Sequence, residues 1–223
     1  MNRFLKRAWA EIDLDALTHN YNEIKKLAKG KEILAVVKAN AYGHDDKAVC
    51  LKLQELGVKY YGVSNLWEGE KLRQHGITGT VLTFGYTDED YFDELLEYGI
   101  TQTAGSVQYA KELSDYAVSK GVKLPVHIKV NTGMTRVGID TEEEMLEILA
   151  MPGLDCKAAY THFAAADSFE PSDIEYTNRQ QEKLMKIASD KGLLIHSQNS
   201  GGIVYHGEFG GDIVRAGVIL YGH

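Results

Sequence analysis

Short apolar runs recur along this chain, separated by amphipathic segments, and that alternation limits the fold more than any other feature. The runs lie at 33–37, 60–64, 80–84, 100–103, 126–130, 157–162, 194–197 and 213–215, the last with room to extend to 220. Between them, helical spacing of apolar residues covers 44–56, 66–75, 88–98, 106–119, 141–150 and 173–190, and 200–206 has room for one short turn. Upstream, Leu14, Leu17, Tyr21, Ile24 and Ala28 form a stripe at helical spacing that Gly30 stops. A helix between two strands carries the chain back to its starting edge, so the strands pair in parallel. About eight such units without a long linker predict a (β/α)8 barrel of TIM type. At 223 residues the chain is long for one domain unless it is a barrel. An open doubly wound sheet is the rival, and no G-x-G-x-x-G follows the first run to favour it.

Composition narrows the function classes. A formal net charge of −8 without a basic stripe excludes a general nucleic-acid binder. Cys50 and Cys156 have neither metal-ligand spacing nor a disulfide framework, which suits a reducing compartment. The N-terminal segment MNRFLKRAWAEID lacks the apolar core of a signal peptide, and no stretch approaches about 18 apolar residues. A cytoplasmic protein without a membrane segment is the expectation.

Residues able to do chemistry cluster where strands are predicted to end. Ile33 to Val37 reads as a buried strand and Asn40-Ala41-Tyr42-Gly43 as the loop that closes it, with Lys38 at the junction. A desolvated lysine there has part of its population as the free amine that a Schiff base requires; a solvated strand cap is the alternative. On the fifth strand His127, Lys129 and Asn131 alternate with Val126, Ile128 and Val130, which sends the aliphatics towards the helices and the polar set into the lumen. Lys129 and, beyond it, Arg136 then stand at the barrel mouth, as reactive groups or as a satisfied polar layer. Tyr160-Thr161-His162 ends the sixth strand, where His162 could equally be a core histidine with one hydrogen bond. Asn199-Ser200-Gly201-Gly202 after the seventh strand leaves amides exposed at the start of a helical turn, a geometry for phosphate as well as for an ordinary turn.

Six stretches, taken in order, carry a resemblance. They are RAWAEIDLDALTHNYNEI at 7–24, AVVKANAYGH at 35–44, HIKVNTGMTRVG at 127–138, THFAAAD at 161–167, HSQNSGG at 196–202 and VRAGVILYG at 214–222. Together they resemble the N-terminal pyridoxal-phosphate barrel of the alanine racemase family, which includes serine racemases. The resemblance implies that Lys38 anchors pyridoxal 5'-phosphate, that Tyr42, Asn199, Ser200, Gly217 and Val218 hold its phosphate, and that His162 lies against its ring. It further implies that Arg215 faces the ring nitrogen with His196 orienting it, that Arg136 binds the substrate carboxylate, and that Lys129, which can be carbamylated, steadies Arg136.

An arginine at the ring nitrogen has a distinct chemical consequence. With an ordinary pKa above about 12 it does not readily hand over a proton, so the ring stays a weaker electron sink than one paired with a carboxylate. That favours proton abstraction and return over transamination. The activity implied is racemisation of a small amino acid, L-alanine to D-alanine or serine, as a step towards cell-wall D-alanine. In the family one face is served by the lysine and the other by a tyrosine from a following, mainly β domain across a homodimer interface, and none of the 13 tyrosines here matches that motif. The expected division is therefore a leading strand at 1–14 that pairs with such a domain and a barrel at 15–223, with weak activity for the barrel alone. A single-domain pyridoxal-phosphate carrier or homeostasis protein is the alternative, and a decarboxylase on the same barrel is a third reading. The NAYGH loop, MTRVG and Arg215 favour the racemase.

Overall fold

The computed structural model describes residues 9–223. Eight parallel strands run in the order β7-β6-β5-β4-β3-β2-β1-β8. They are β1 (Glu32–Val36), β2 (Tyr60–Val63), β3 (Thr80–Thr83), β4 (Ile100–Ala104), β5 (Leu124–Lys129), β6 (Leu154–Tyr160), β7 (Leu194–His196) and β8 (Ile213–Ala216). The barrel is nearly closed. At the seam between β7 and β8 the Asp212 N–H donates to the Ile195 carbonyl at 2.8 Å, the Ile195 N–H to the Asp212 carboxylate at 2.8 Å, and the Arg215 N–H to the Gln198 carbonyl at 2.8 Å. Those bonds satisfy the edge that an open sheet would leave bare.

Helices cover the outside. α1 (Leu14–Leu27) precedes the barrel, capped by the Asp13 carboxylate on the N–H groups of Asp15 and Ala16. Then come α2 (Lys38–Gly43), α3 (Asp46–Glu55), α4 (Leu66–Gln74), α5 (Phe92–Glu97), α6 (Val107–Ser119), α7 (Glu142–Leu149), α8 (Pro171–Ala188) and α9 (Ser200–Tyr205). Period-two alternation places Val81, Ile100, Ala104, Val126, Ile128 and Ala159 against this layer in one continuous core.

The lumen is divided. Leu34, Val36, Leu82 and Ile213 form an apolar cluster on the side of β1, β2, β3 and β8. Facing it are Thr101, Thr103, His127, Lys129, Tyr160, His196 and Arg215, all buried. Burying that many polar groups is costly unless each is bonded, and this half of the lumen carries the site.

Several expected boundaries move. The eighth strand stops at Ala216, because Val218–Tyr221 turns into a 3-10 helix instead of extending to 220. The sixth strand runs from Leu154 to Tyr160 and not from 157 to 162, and the 88–98 helix is a 3-10 turn at Glu89–Tyr91 followed by α5. Asn131 leaves the lumen: its side chain donates to Asp140 and accepts from the N–H groups of Gly133 and Thr135, pinning the loop that bears Arg136. Of the leading segment, 1–8 lies outside the described residues; 9–13 forms no ladder with the barrel, and Leu14 already belongs to α1.

Candidate active site

The loop expected after Lys38 is one turn of left-handed helix. Ala39, Asn40, Ala41 and Tyr42 have φ between +53° and +55°, a conformation that L-residues with a Cβ adopt at about 1–2 kcal/mol each. Neighbours offset that cost. The Ala41 N–H donates to the Val37 carbonyl at 2.9 Å, the Asp46 N–H to the Asn40 side chain at 3.1 Å, and the Ala39 N–H to the Glu68 carboxylate at 2.7 Å. Tyr221 braces the far end: its hydroxyl donates to the Val36 carbonyl at 3.1 Å, while His44 stacks on its ring at 4.8 Å and Tyr42 lies 5.3 Å away. Lys38 is half-buried at the start of this turn, less enclosed than a lysine at a strand end was expected to be. Its ammonium lies 5.9 Å from the Tyr42 ring centre.

β8 neighbours β1 in register, Leu34 opposite Arg215, so the barrel closure itself brings Lys38 and Arg215 to one place. Arg215 is almost entirely buried, and every bond it makes is to strand-end groups. One terminal nitrogen donates to the His196 carbonyl at 2.8 Å and meets His196 Nδ1 at 3.2 Å. The other donates to the carbonyls of Thr161 at 2.7 Å and Ser197 at 2.9 Å, with His162 Nδ1 at 3.5 Å. Burial lowers its pKa to about 10, below the sequence expectation yet still cationic at neutral pH.

With His196 Nδ1 accepting from Arg215, its Nε2 carries the proton and donates to His127 Nδ1 at 3.0 Å. Burial keeps both rings neutral: His127 falls to about 4, and His196 lies well below the usual imidazole range. His162 falls to about 3 through burial and through repulsion from Arg215, Arg136, Lys129 and Lys38. Tyr160 ties these groups together. Its ring stacks on His196 at 4.7 Å and lies 5.5 Å from both the Lys129 ammonium and the Arg215 guanidinium, and its hydroxyl bonds to Thr103 at 2.9 Å.

Lys129 is only 6 % exposed and donates to the Val130 carbonyl at 2.9 Å. Burial, reinforced by Arg215 and Arg136, lowers its pKa to about 7. The unfolded chain therefore binds the Lys129 proton more tightly than the native one between about pH 7 and 10.5, so this residue's contribution to stability rises with pH across that window and is lost towards pH 7. Lys129→Met should flatten the rise: the parent should gain more in urea midpoint between pH 7 and pH 10 than the variant does, and equal gains would show that Lys129 is not held near neutrality.

These groups line one cavity of about 570 Å³ at the C-terminal mouth of the barrel. Lys38, Tyr42, Lys129, Arg136, His162, Asn199, Ser200, Arg215, Gly217 and Val218 all reach it, whereas His196 lies beneath, reaching it through Arg215. Asp167 is the carboxylate in that lining, against the cations Lys38, Lys129, Arg136 and Arg215, so the field favours an anion. At one side the Gly217 N–H donates to Ser200 Oγ at 3.2 Å. A Cβ on Gly217 would stand 3.2 Å from the Tyr42 hydroxyl and 3.6 Å from Ser200 Oγ, filling the space between two hydroxyl donors. Asn199 is less available than its position suggested, because its side-chain oxygen already caps the Gly202 N–H at 3.0 Å. Sequence reasoning assigned no part to Tyr160, although its place two residues before His162 on the same face was the available signal. It also passed over Glu68, for which the sequence offers no signal.

The sequence from residue 12 to residue 223 matches the family described as "Alanine racemase, N-terminal domain". The chain belongs to the alanine racemase family. An alanine racemase of Clostridium perfringens is 41% identical over 233 aligned positions that span 100% of this chain and 60% of that protein. The solved alanine racemase of Clostridium difficile superposes with a TM-score of 0.91 at 34% identity, covering 99% of this chain and 60% of that one. A histidine racemase from Leuconostoc mesenteroides superposes at 0.86 with 28% identity, covering 95% of this chain and 59% of its own. The chain thus spans about 60% of the length of these relatives. Members of the family depend on pyridoxal 5'-phosphate, and the donor set fits that group: a half-buried amine, two hydroxyls beside a glycine that leaves room between them, a neutral imidazole and a buried guanidinium.

Proposed function

We propose that this barrel holds pyridoxal 5'-phosphate for the racemisation of a small amino acid, alanine or serine. When bound, the cofactor supplies an electron sink that lowers the barrier to breaking the substrate Cα–H bond. The observation that carries the reading is Arg215, a guanidinium fixed by three backbone carbonyls and backed by a neutral histidine pair, a setting that holds a cation and offers no acidic proton at neutral pH. Lys38 is the covalent anchor and the acid/base group of one face. Tyr42, Asn199, Ser200, Gly217 and Val218 hold the phosphate, His162 lies against the ring, and His196 orients Arg215. Arg136, exposed at the mouth and without a carboxylate partner among the described residues, receives the substrate carboxylate. The near-neutral Lys129 amine is suited to adding CO2: its nitrogen bonds the carbon, releases a proton and becomes a carbamate that pairs with Arg136.

The second face needs another group. The resemblance assigns it to a tyrosine of a following domain, reached across a homodimer, in a cytoplasmic protein. No helix among the described residues is long and apolar enough to cross a membrane.

Exchange at Cα in deuterated water tests the reading. Given pyridoxal phosphate, the chain should wash deuterium into L-alanine while racemising it about 10²–10⁴-fold more slowly than a full-length relative, the usual loss for one acid/base group. Added bicarbonate should raise the exchange rate through Lys129. Absence of exchange would favour a carrier over a racemase, and full turnover by the chain alone would place the second base within the barrel.

A further inference from the structure

Glu68 stands at the first turn of α4, outside every motif discussed above. One carboxylate oxygen accepts the Ala39 N–H at 2.7 Å and the other accepts the Ser64 N–H at 2.7 Å. The last rung between the two strands is the Val37 N–H on the Gly62 carbonyl at 2.9 Å. Beyond it the ladder has ended, and this carboxylate continues the connection. Glu68 is itself fixed, since its N–H donates to the Asn65 side chain at 3.1 Å as α4 is capped.

The amide it takes from Ala39 directly follows Lys38. Four consecutive left-handed residues begin at Ala39, a conformation that a free chain of L-residues abandons for the right-handed region. The orientation of the Ala39 peptide sets where the Lys38 side chain departs. A carboxylate suits the place because each oxygen accepts and neither donates. A glutamine of the same shape would turn its NH2 towards one of the two N–H groups.

We propose that Glu68 is the positioning residue of Lys38: by bridging Ala39 and Ser64 it holds the left-handed turn that aims the Lys38 amine into the cavity. The proposal rests on Lys38 being the covalent anchor.

The test uses the chain with pyridoxal phosphate as the probe. The lysine amine and the aldehyde carbon join with loss of water, borohydride supplies the hydride that makes the bond permanent, and peptide mapping locates it. In Glu68→Gln the probe concentration for half-maximal labelling of Lys38 should rise about tenfold, the scale for losing one charge-assisted hydrogen bond. Hydrogen exchange at Ala39, measured without the probe, should quicken by a similar factor while amides in α6 stay unchanged. Thr141→Ala serves as the stability control. It removes the α7 cap, where the Thr141 hydroxyl accepts the Glu144 N–H, and touches neither Glu68 nor Ala39, so it should lower the urea midpoint and leave labelling of Lys38 as in the parent. Unchanged labelling and exchange in Glu68→Gln would overturn the proposal, as would an equal loss of labelling in Thr141→Ala. Labelling of a different lysine in the unsubstituted chain would overturn the anchor and the proposal together, a result distinct from the other two.

Discussion

Lys38→Ala should leave no borohydride-fixed pyridoxal phosphate in the cavity, a complete loss where other substitutions at the mouth reduce labelling by degrees. Two lysines reach this cavity, Lys38 and Lys129. Lys129 has the lower pKa, and on reactivity alone it would compete at neutral pH. Geometry decides against it. Its amine is held by the Val130 carbonyl at 2.9 Å and sits beside the Tyr160 ring, deep in the polar half of the lumen. Lys38 opens the turn that also carries Tyr42, whose hydroxyl flanks, together with Ser200 Oγ, the space that Gly217 leaves open at the proposed phosphate cradle. An aldehyde carried by a phosphate-bearing ring is thereby delivered next to Lys38. Peptide mapping of the reduced product checks the expectation, and a label on Lys129 that persists at full yield in Lys38→Ala would assign the anchor to β5.

Arg215→Ala should destabilise the barrel by about 3–5 kcal/mol, since each buried acceptor left without a donor costs about 1–3 kcal/mol. The guanidinium serves the carbonyls of Thr161 and Ser197, and that of His196, which also accepts the Thr161 N–H at 3.3 Å; all three residues are buried at the ends of β6 and β7. It also fixes the tautomer of His196, and through it that of His127. Arg215→Lys should recover part of the loss, because an ammonium keeps the charge while lacking the planar fork that reaches three carbonyls at once. Urea denaturation measures both, and a change under about 1 kcal/mol in Arg215→Ala would show that these bonds are made equally well by other groups. If the proposed function holds, the matching arginine of a full-length relative should govern reaction choice. Arg215→Glu should lower racemisation and raise the fraction of turnovers ending as transamination, detected as pyridoxamine phosphate, because a carboxylate there would hold a proton on the ring nitrogen.

Much of the architecture follows from local physics. Parallel strands buried on both faces are apolar runs of strand length, and helices between them show their stripe, so a parallel β/α fold could be read from spacing, with the absence of G-x-G-x-x-G turning the choice to the barrel. Alternation along 126–130 correctly divided core from lumen because the two-residue period holds wherever a strand is straight. Boundaries were harder where a competing local structure won. Val218 to Leu220 are apolar enough for a strand, yet they lie past the end of the ladder, where a 3-10 turn satisfies the backbone and sends Tyr221 back onto Tyr42. The turn after Lys38 was missed for a related reason. Ala39, Asn40, Ala41 and Tyr42 have no glycine among them, and left-handed backbone in such a segment is sustained by nearby Asp46 together with Glu68 and Tyr221, the latter two distant in sequence.

By itself the sequence determined the fold class, His127 and Lys129 as lumen-facing residues of β5 and, through ordered motifs, most of the residues that line the mouth, while Asn131 left the lumen and His196 lies beneath it. Tertiary structure alone decided their states. Lys129 is held near neutrality because closure of the barrel buries it beside Arg215 and Arg136, and His162 and His196 stay neutral for the same cause. Lys38 and Arg215 are 177 positions apart in sequence, and only the β1–β8 pairing makes them neighbours. Desolvation and through-space charge depend on what the chain places within a few ångströms, and those distances exist only once the last strand has paired with the first.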